Sequence, residues 1–217
     1  MIIFIPIKEV SQRVPKKNFR SFCGKPLYEH TLYKLKNFKV YVDTDSNEIL
    51  DNIRNNPKLF HVSGHKRDED LVGHEIPVCA LIESFVKREK IQEPICQIHV
   101  TSPFLEPNTI FEAQKILEKG HDSVVSCTKL NTRLWRKENY GMCPINHNPL
   151  RLEQTQDLPA LYEENSLFYM FNPEVVLRTG NRIGNAPYFF ETQFPEYIDI
   201  DTEEDWEMAV LIEENRR

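Results

Sequence analysis

Apolar residues along this chain follow two rhythms. Short, mainly apolar runs at Ile2 to Ile5, Val40 to Val42, Ile95 to Val100 and Ser123 to Cys127 have the character of buried strands. Between them the spacing turns helical. Val78, Leu81, Ile82 and Phe85 fall at i, i+3, i+4 and i+7, one face of a helix. Pro107 suits a first helical turn, where its missing N–H costs nothing, and Gly120 suits the position past that helix's end. Pro6 is expected to end the first strand. Strand and helix alternating in this order predict a parallel sheet covered on both faces.

The rhythm fails near residue 131. "NTRLWRKENYGMCPINHNPLRLEQTQDLPALYEEN" is rich in Asn, Pro and charge and has no clean period. A structureless loop of that length is improbable inside a compact domain. Residues from about 131 to 160 are therefore expected to form an arm or small lobe within a single domain spanning 1–217, packed against something such as another subunit. The strand pattern resumes with "SLFYMF" and "YIDID", and a last helix is expected from about Glu203.

Composition narrows the function. The formal net charge of −6 argues against a broad nucleic-acid surface, which needs a basic face. Five cysteines without C-x-x-C spacing read as reduced thiols in a cytoplasmic, reducing setting. No run approaches the roughly 18 apolar residues of a membrane span, and MIIFIPI lacks the charged lead of a signal peptide.

Against this acidic background one stretch stands out. "IPIKEVSQRVPKKNFRSFCGKP" gathers Lys8, Arg13, Lys16, Lys17 and Arg20 directly after the first strand. Ligands of open parallel sheets bind beyond the carboxyl ends of the strands, so position and charge both suit phosphate. A solvated basic turn is the equal alternative, and the Walker pattern is absent. In "YIDIDTEED", strand alternation would project Asp199 and Asp201 from one face, roughly 7 Å apart. Such a pair can share Mg²⁺ with phosphates; it can equally end a strand before a helix that Thr202 caps. "HVTSPFL" offers hydroxyls at a strand end, a weak signal alone. His61 and His65 are rejected as a helical metal pair because Gly64 lies between them, and Phe189 and Phe190 read as core by themselves.

Taken in order, these segments resemble the acylneuraminate cytidylyltransferase family, the CMP-sialic acid synthetases and their pseudaminate and legionaminate relatives. Pro6, Ser11, Pro15, Lys17 and Asn18 match its opening motif, Asp43-Thr44-Asp45 its Ser-Thr-Asp, Thr101-Ser102-Pro103 its Thr-Ser-Pro, and "YIDIDTEEDW" its late acidic signature. The resemblance implies a Rossmann-like, mostly parallel α/β sheet flanked by helices, with a protruding dimerisation arm. It implies transfer of CMP from CTP to an acidic 2-keto-3-deoxy sugar, a Mg²⁺ cofactor and a homodimer. By the same resemblance Lys17, Asp199 and Asp201 are catalytic, the two aspartates as metal ligands. Lys8, Ser11, Arg13, Asn18, Arg67 and Thr101 fall to the nucleotide; His99, Gln156, Asn165, Tyr169, Phe189 and Phe190 fall to the sugar. Two alternatives remain: another acceptor, such as an eight-carbon keto acid or a phosphonate, and a non-catalytic nucleotide-binding protein.

The chain departs from the family pattern at several positions. Lys8 stands for the usual Arg, Glu9-Val10 for Gly-Gly, His74 for Asp, His99 for Gln, Thr155 for Arg and Ser166 for Gly. Lys8 keeps charge but loses the planar fork that grips oxygens in pairs.

Overall fold

The computed structural model describes residues 1–11 and 14–216 of the 217-residue chain. Its first half runs β1 (Ile2–Ile7), β2 (Ser21–Phe22), β3 (Lys25–Pro26), α1 (Leu27–Lys34), β4 (Lys39–Thr44), α2 (Asn47–Asn55), β5 (Val62–Lys66), α3 (Val78–Glu89) and β6 (Ile95–Ile98). It continues through α4 (Pro107–Leu117), β7 (Ser123–Leu130), β8 (Trp135–Glu138), β9 (Gly141–Pro144), β10 (Leu161–Phe171), α5 (Pro173–Thr179), β11 (Pro187–Glu191) and α6 (Glu203–Asn215).

The main sheet has seven strands in the order β11-β7-β10-β6-β1-β4-β5. All neighbours are parallel except β10, which runs antiparallel to both β6 and β7. From β1 the chain steps outward to β4 and β5, then crosses by α3 to β6 on the other side of β1. The winding therefore reverses between β1 and β6, the place where open α/β sheets take ligands.

Side-chain alternation on β1 explains the layers. Ile3, Ile5 and Ile7 enter one core cluster with Leu32 of α1, Ile49 of α2 and Ile110 of α4. Ile2 and Phe4 enter a second, with Leu81, Ile82 and Phe85 of α3 and Val176 of α5. Helices thus cover both faces, as the continuous apolar runs predict. A smaller third cluster joins Phe22 and Leu27 to Phe104, Ile200 and Trp206. It fastens α6 and the segment before it to the start of the chain.

Several boundaries differ from expectation. Pro6 does not end β1, which pairs with β4 through Ile7. Pairing with β6 covers only Ile2 to Phe4, so beyond Phe4 that edge of β1 is open and a missing N–H breaks no ladder there. Tyr197 to Asp201 is no strand: it runs without ladder partners, and its Ile200 N–H donates to the Thr101 carbonyl at 2.9 Å. The helix beginning at Glu203 is as expected, opened by a reciprocal cap in which Thr202 and Asp205 each accept the other's backbone N–H. Residues 131–160 contain the exposed hairpin of β8 and β9, and the outer end of β10 extends the sheet by pairing with Cys127 to Leu130. Among the described residues no helix is long and apolar enough to cross a membrane.

Phe85 tests the α3 face. It is fully buried, with its ring 4.8 Å from Phe4 and 5.0 Å from Tyr41. Phe85→Ala is expected to cost about 3–5 kcal/mol in urea unfolding. Phe60→Ala, at a side chain 81% exposed, is expected to change stability by less than about 0.5 kcal/mol.

Candidate active site

At the reversal between β1 and β6 opens a cleft of about 420 Å³. Pro6 and Lys8 line it from the end of β1, and Val10, Ser11, Lys17 and Asn18 from the loop that follows. His99, Val100 and Thr101 come from the exit of β6; His74, Ile76, Val78 and Leu81 come from α3 and its approach. Ser166 of β10 and the late pair Asp199 and Asp201 complete it. One wall is apolar, the opposite end charged.

The basic loop is folded onto itself. The Lys17 N–H donates to the Val14 carbonyl at 3.2 Å, and Phe19 and Arg20 both donate to the Lys16 carbonyl at 2.9 Å. Lys16 takes a left-handed φ of 53°, which turns the chain so that its own side chain is exposed and that of Lys17 is buried. The Asn18 amide donates to the Lys8 carbonyl at 2.9 Å, while its Oδ1 is buried without a partner. An orphaned acceptor in a cleft wall costs free energy until a donor meets it, which is what a ligand-binding surface leaves open.

Lys17 is the junction. Its Nζ donates to the Ile200 carbonyl at 2.5 Å and to Asp201 Oδ1 at 3.1 Å. The same Ile200 donates its N–H to Thr101 and buries its side chain in the third cluster. With Ile200 pinned at backbone and side chain, its two flanking aspartates turn to the cleft. Alternation thus puts Asp199 and Asp201 on one side, as expected, although no strand is present. An ammonium has three donors, so one N–H of Lys17 remains for a ligand.

Electrostatics set the two aspartates apart. Burial raises the pKa of Asp199, with the like charge of Asp201 adding to it, against hydrogen bonds from Thr101 and Ser102 and the charge of Lys17. Burial likewise lowers His99 to about 4, helped by Arg182 and Lys17, so that ring is neutral at physiological pH. Two carboxylates facing one cleft, one held against its own ionisation, fit a shared divalent cation, which would relieve both. Among the described residues no group of three or more acidic, His or Cys side chains is placed to hold a metal. Such a cation must therefore take its other ligands from substrate and water, as Mg²⁺ does.

The other expected site residues are distributed as follows. Arg13 lies outside the described residues. Arg20 leaves the cleft, stacking over Trp206 at 4.3 Å and pairing with Glu203 at 2.6 Å. Arg67 is 2% exposed and does not line the cleft. Its Nε donates to Asp43 Oδ1 at 2.5 Å and its Nη2 to the carbonyls of Asp43 and Ile7 at 3.0 and 3.4 Å, so it braces the ends of β1 and β4. Asp43 keeps a raised pKa through burial despite this partner.

Of the residues expected to meet a sugar, only His99 lines the cleft. Asn165 turns away to Thr128 and Thr192 at 2.8 and 2.7 Å, because β10 shifts register between Glu164 and Tyr169 and presents Ser166 instead. Tyr169 is buried behind Ser166. Phe190 packs on Phe168, Phe189 is half-exposed on β11, and Gln156 is exposed in a 3₁₀ turn beside Gln154. Sequence reasoning overlooked Gln97, which backs His99 from within the sheet. Its signal was present: Gln97 and His99 are polar residues two apart in the otherwise apolar "ICQIHV".

Comparison with known proteins gives a consistent result. A family model described as Cytidylyltransferase matches residues 2–217. N-acylneuraminate cytidylyltransferase A of Danio rerio is 30% identical over 212 residues, covering 92% of this chain and 47% of that protein. The chain thus spans about half the length of its fish relatives. CMP-N,N'-diacetyllegionaminic acid synthase of Legionella pneumophila subsp. pneumophila is 27% identical, covering 96% of this chain and 94% of that one. Among solved structures, CMP:2-keto-3-deoxy-manno-octonic acid synthetase complexed with CTP superposes with a TM-score of 0.67 at 12% identity, over 100% of this chain and 99% of that one.

Asp199→Asn is expected to raise the melting temperature at neutral pH, because it removes a charge whose burial is unfavourable. The folded pKa of Asp199 lies above its unfolded value, so ionisation costs stability fully above the folded pKa and not at all below the unfolded one. The gain should therefore vanish as pH falls through that window. A variant equally stabilised at acid pH would contradict the assignment.

Proposed function

Because this chain belongs to the cytidylyltransferase family, we propose that it transfers CMP from CTP to the anomeric hydroxyl of an acidic 2-keto-3-deoxy sugar of the sialic acid type. The oxygen–phosphorus bond to the sugar forms as the bond to the leaving pyrophosphate breaks. The observation that carries this reading is the meeting of Lys17 with Asp201 at 3.1 Å, beside Asp199, in the cleft where the strand winding reverses.

Phosphoryl transfer asks a protein for positioning and charge compensation rather than covalent chemistry. The spare donor of Lys17 offsets charge growing on the transferring phosphate. Lys8, which forms no ion pair among the described residues, lies along the same wall and offers a second cation. Ile76, Val78 and Leu81 give an apolar surface against which a flat base can lie while excluding water. Asp199 and Asp201 would hold Mg²⁺, which neutralises phosphate charge and lowers the pKa of a hydroxyl it binds. Five free cysteines suit a reducing, cytoplasmic setting.

We extend the proposal to assembly. Leu150 and Leu152 are 96% and 94% exposed, beside exposed Tyr140, Met142 and Ile145. An apolar group of this kind on residues 131–160 suits burial against a second copy. Sedimentation is expected to report a homodimer, and Leu150→Asp with Leu152→Asp to yield a folded monomer. A wild-type monomer at micromolar concentration would overturn the assembly.

Pyrophosphate release, measured for each nucleoside triphosphate against a panel of nine- and eight-carbon keto-acid sugars and phosphonates, tests the reaction. CTP with a nine-carbon acid is the expected productive pair; release only with another acceptor would replace the acceptor class, and no release with any would leave a binding protein. Asp201→Asn is expected to lower turnover by roughly 10²-fold or more with its unfolding transition preserved. Undiminished turnover in that variant would refute the metal assignment.

A further inference from the structure

Behind the cleft runs a chain of polar groups that the transfer reaction does not explain. Arg182 lies with its guanidinium carbon 3.4 Å from the centroid of the Tyr169 ring, a stacked position that holds the planar group still. From there Nη1 donates to Gln97 Oε1 at 2.5 Å. Gln97 is fully buried in β6 and does not itself line the cleft. Its Nε2 lies 3.0 Å from Nε2 of His99, which does.

The direction of every proton in this chain follows from its first member. Arginine has donors and no acceptor, so the Gln97 atom facing it must be the amide oxygen. The amide nitrogen is then left facing His99, and an amide N–H₂ can only donate. His99 must therefore present a lone pair at Nε2, which in a neutral imidazole places the ring proton on Nδ1. We propose that Arg182 is a positioning residue that acts through Gln97 to lock His99 as the neutral Nδ1–H tautomer, giving the cleft a fixed ring N–H donor for a ligand oxygen. A histidine without this backing could present a lone pair or a donor in turn; one with it recognises an acceptor oxygen, hydroxyl or carboxylate, and rejects a donor at that place. The low pKa of His99 agrees, since a protonated ring would set two donors against each other.

The neighbouring contacts keep the device in place. The Tyr169 hydroxyl, beneath Arg182, bonds Glu164 and lies 3.2 Å from Ser166 Oγ, and Ser166 lines the cleft. Arg182 thus couples β10 to β6 from outside both strands.

The test needs no substrate, so its outcome is separate from that of the transfer assay. With histidines labelled by ¹⁵N in the ring, long-range proton–nitrogen correlation near neutral pH reports the tautomer of each. The His99 signals are those lost in His99→Gln. The native protein is expected to show His99 with its proton on Nδ1. Gln97→Glu places an acceptor against His99 and is expected to move the proton to Nε2. Arg182→Met removes the donor that orients Gln97 and is expected to leave both tautomers populated. A native His99 protonated at Nε2 would overturn the proposal outright, as would an Arg182→Met spectrum identical to the native one.

Discussion

The site depends on one peptide unit. Ile200 is gripped at its N–H by Thr101, at its carbonyl by Lys17, and at its side chain by the cluster of Phe22, Phe104 and Trp206. These partners come from the start, the middle and the end of the chain. The first loop and the last segment are therefore not merely neighbours; each is the other's support. Loop closure over such a separation is entropically costly, and the apolar cluster offsets that cost where charge alone would not. A lysine paired with an aspartate at a partly exposed site is worth little. A lysine that also satisfies a buried carbonyl is worth more, because losing it leaves that carbonyl unpaired.

The same arrangement stores unfavourable terms at the cleft. Burial opposes the ionisation of Asp199, and Asn18 keeps an acceptor without a partner. Ser166 and Lys16 sit at φ of 58° and 53°, where a side chain is strained. Each lies in the cleft or in the loop that shapes it, while the two large clusters on the sheet faces are apolar and closely filled. Arg67 and Asp43 form the exception within the frame, a buried ion pair that joins β1 to β4. Breaking such a pair strands a charge in a dry place, so its role is to hold the strand ends rather than to touch a ligand.

Much of this was legible because the physics involved is local. Apolar runs gave the central strands, helical spacing gave α3, and Thr202 as a cap gave the start of α6. The basic loop was readable for the same reason: five cations in a short acidic-protein segment need an anion or solvent. The Asp199–Asp201 segment was read as a strand because alternation is what a strand shows, yet the pins on Ile200 impose the same alternation without a ladder. Nothing local betrayed β11, whose aromatic residues look like any core run, or β5, where Ser63, Gly64 and His65 break the apolar pattern. A Cβ at Gly64 would come 2.9 Å from the tip of the Leu50 side chain, which would have to shift. The turning of Asn165 away from the cleft depends on a register shift in β10, and register is a property of paired strands rather than of one sequence.

The departures from the family pattern have a spatial order that the sequence does not show. Lys8, His74, His99 and Ser166 all line the cleft, while Thr155 is exposed in a 3₁₀ turn. Lys8, His99 and Ser166 alter what the walls offer: a point charge for a planar fork, a neutral ring for an amide, a strained hydroxyl-bearing residue for a glycine. At Ser166 the left-handed backbone that glycine adopts freely is retained, and the added hydroxyl faces Tyr169 Oη at 3.2 Å. A change that keeps a costly conformation and adds a hydrogen bond to the network beneath it has altered the wall without moving it. The cleft thus rests on two supports, one anchored by Ile200 and the other by the strands β6 and β10.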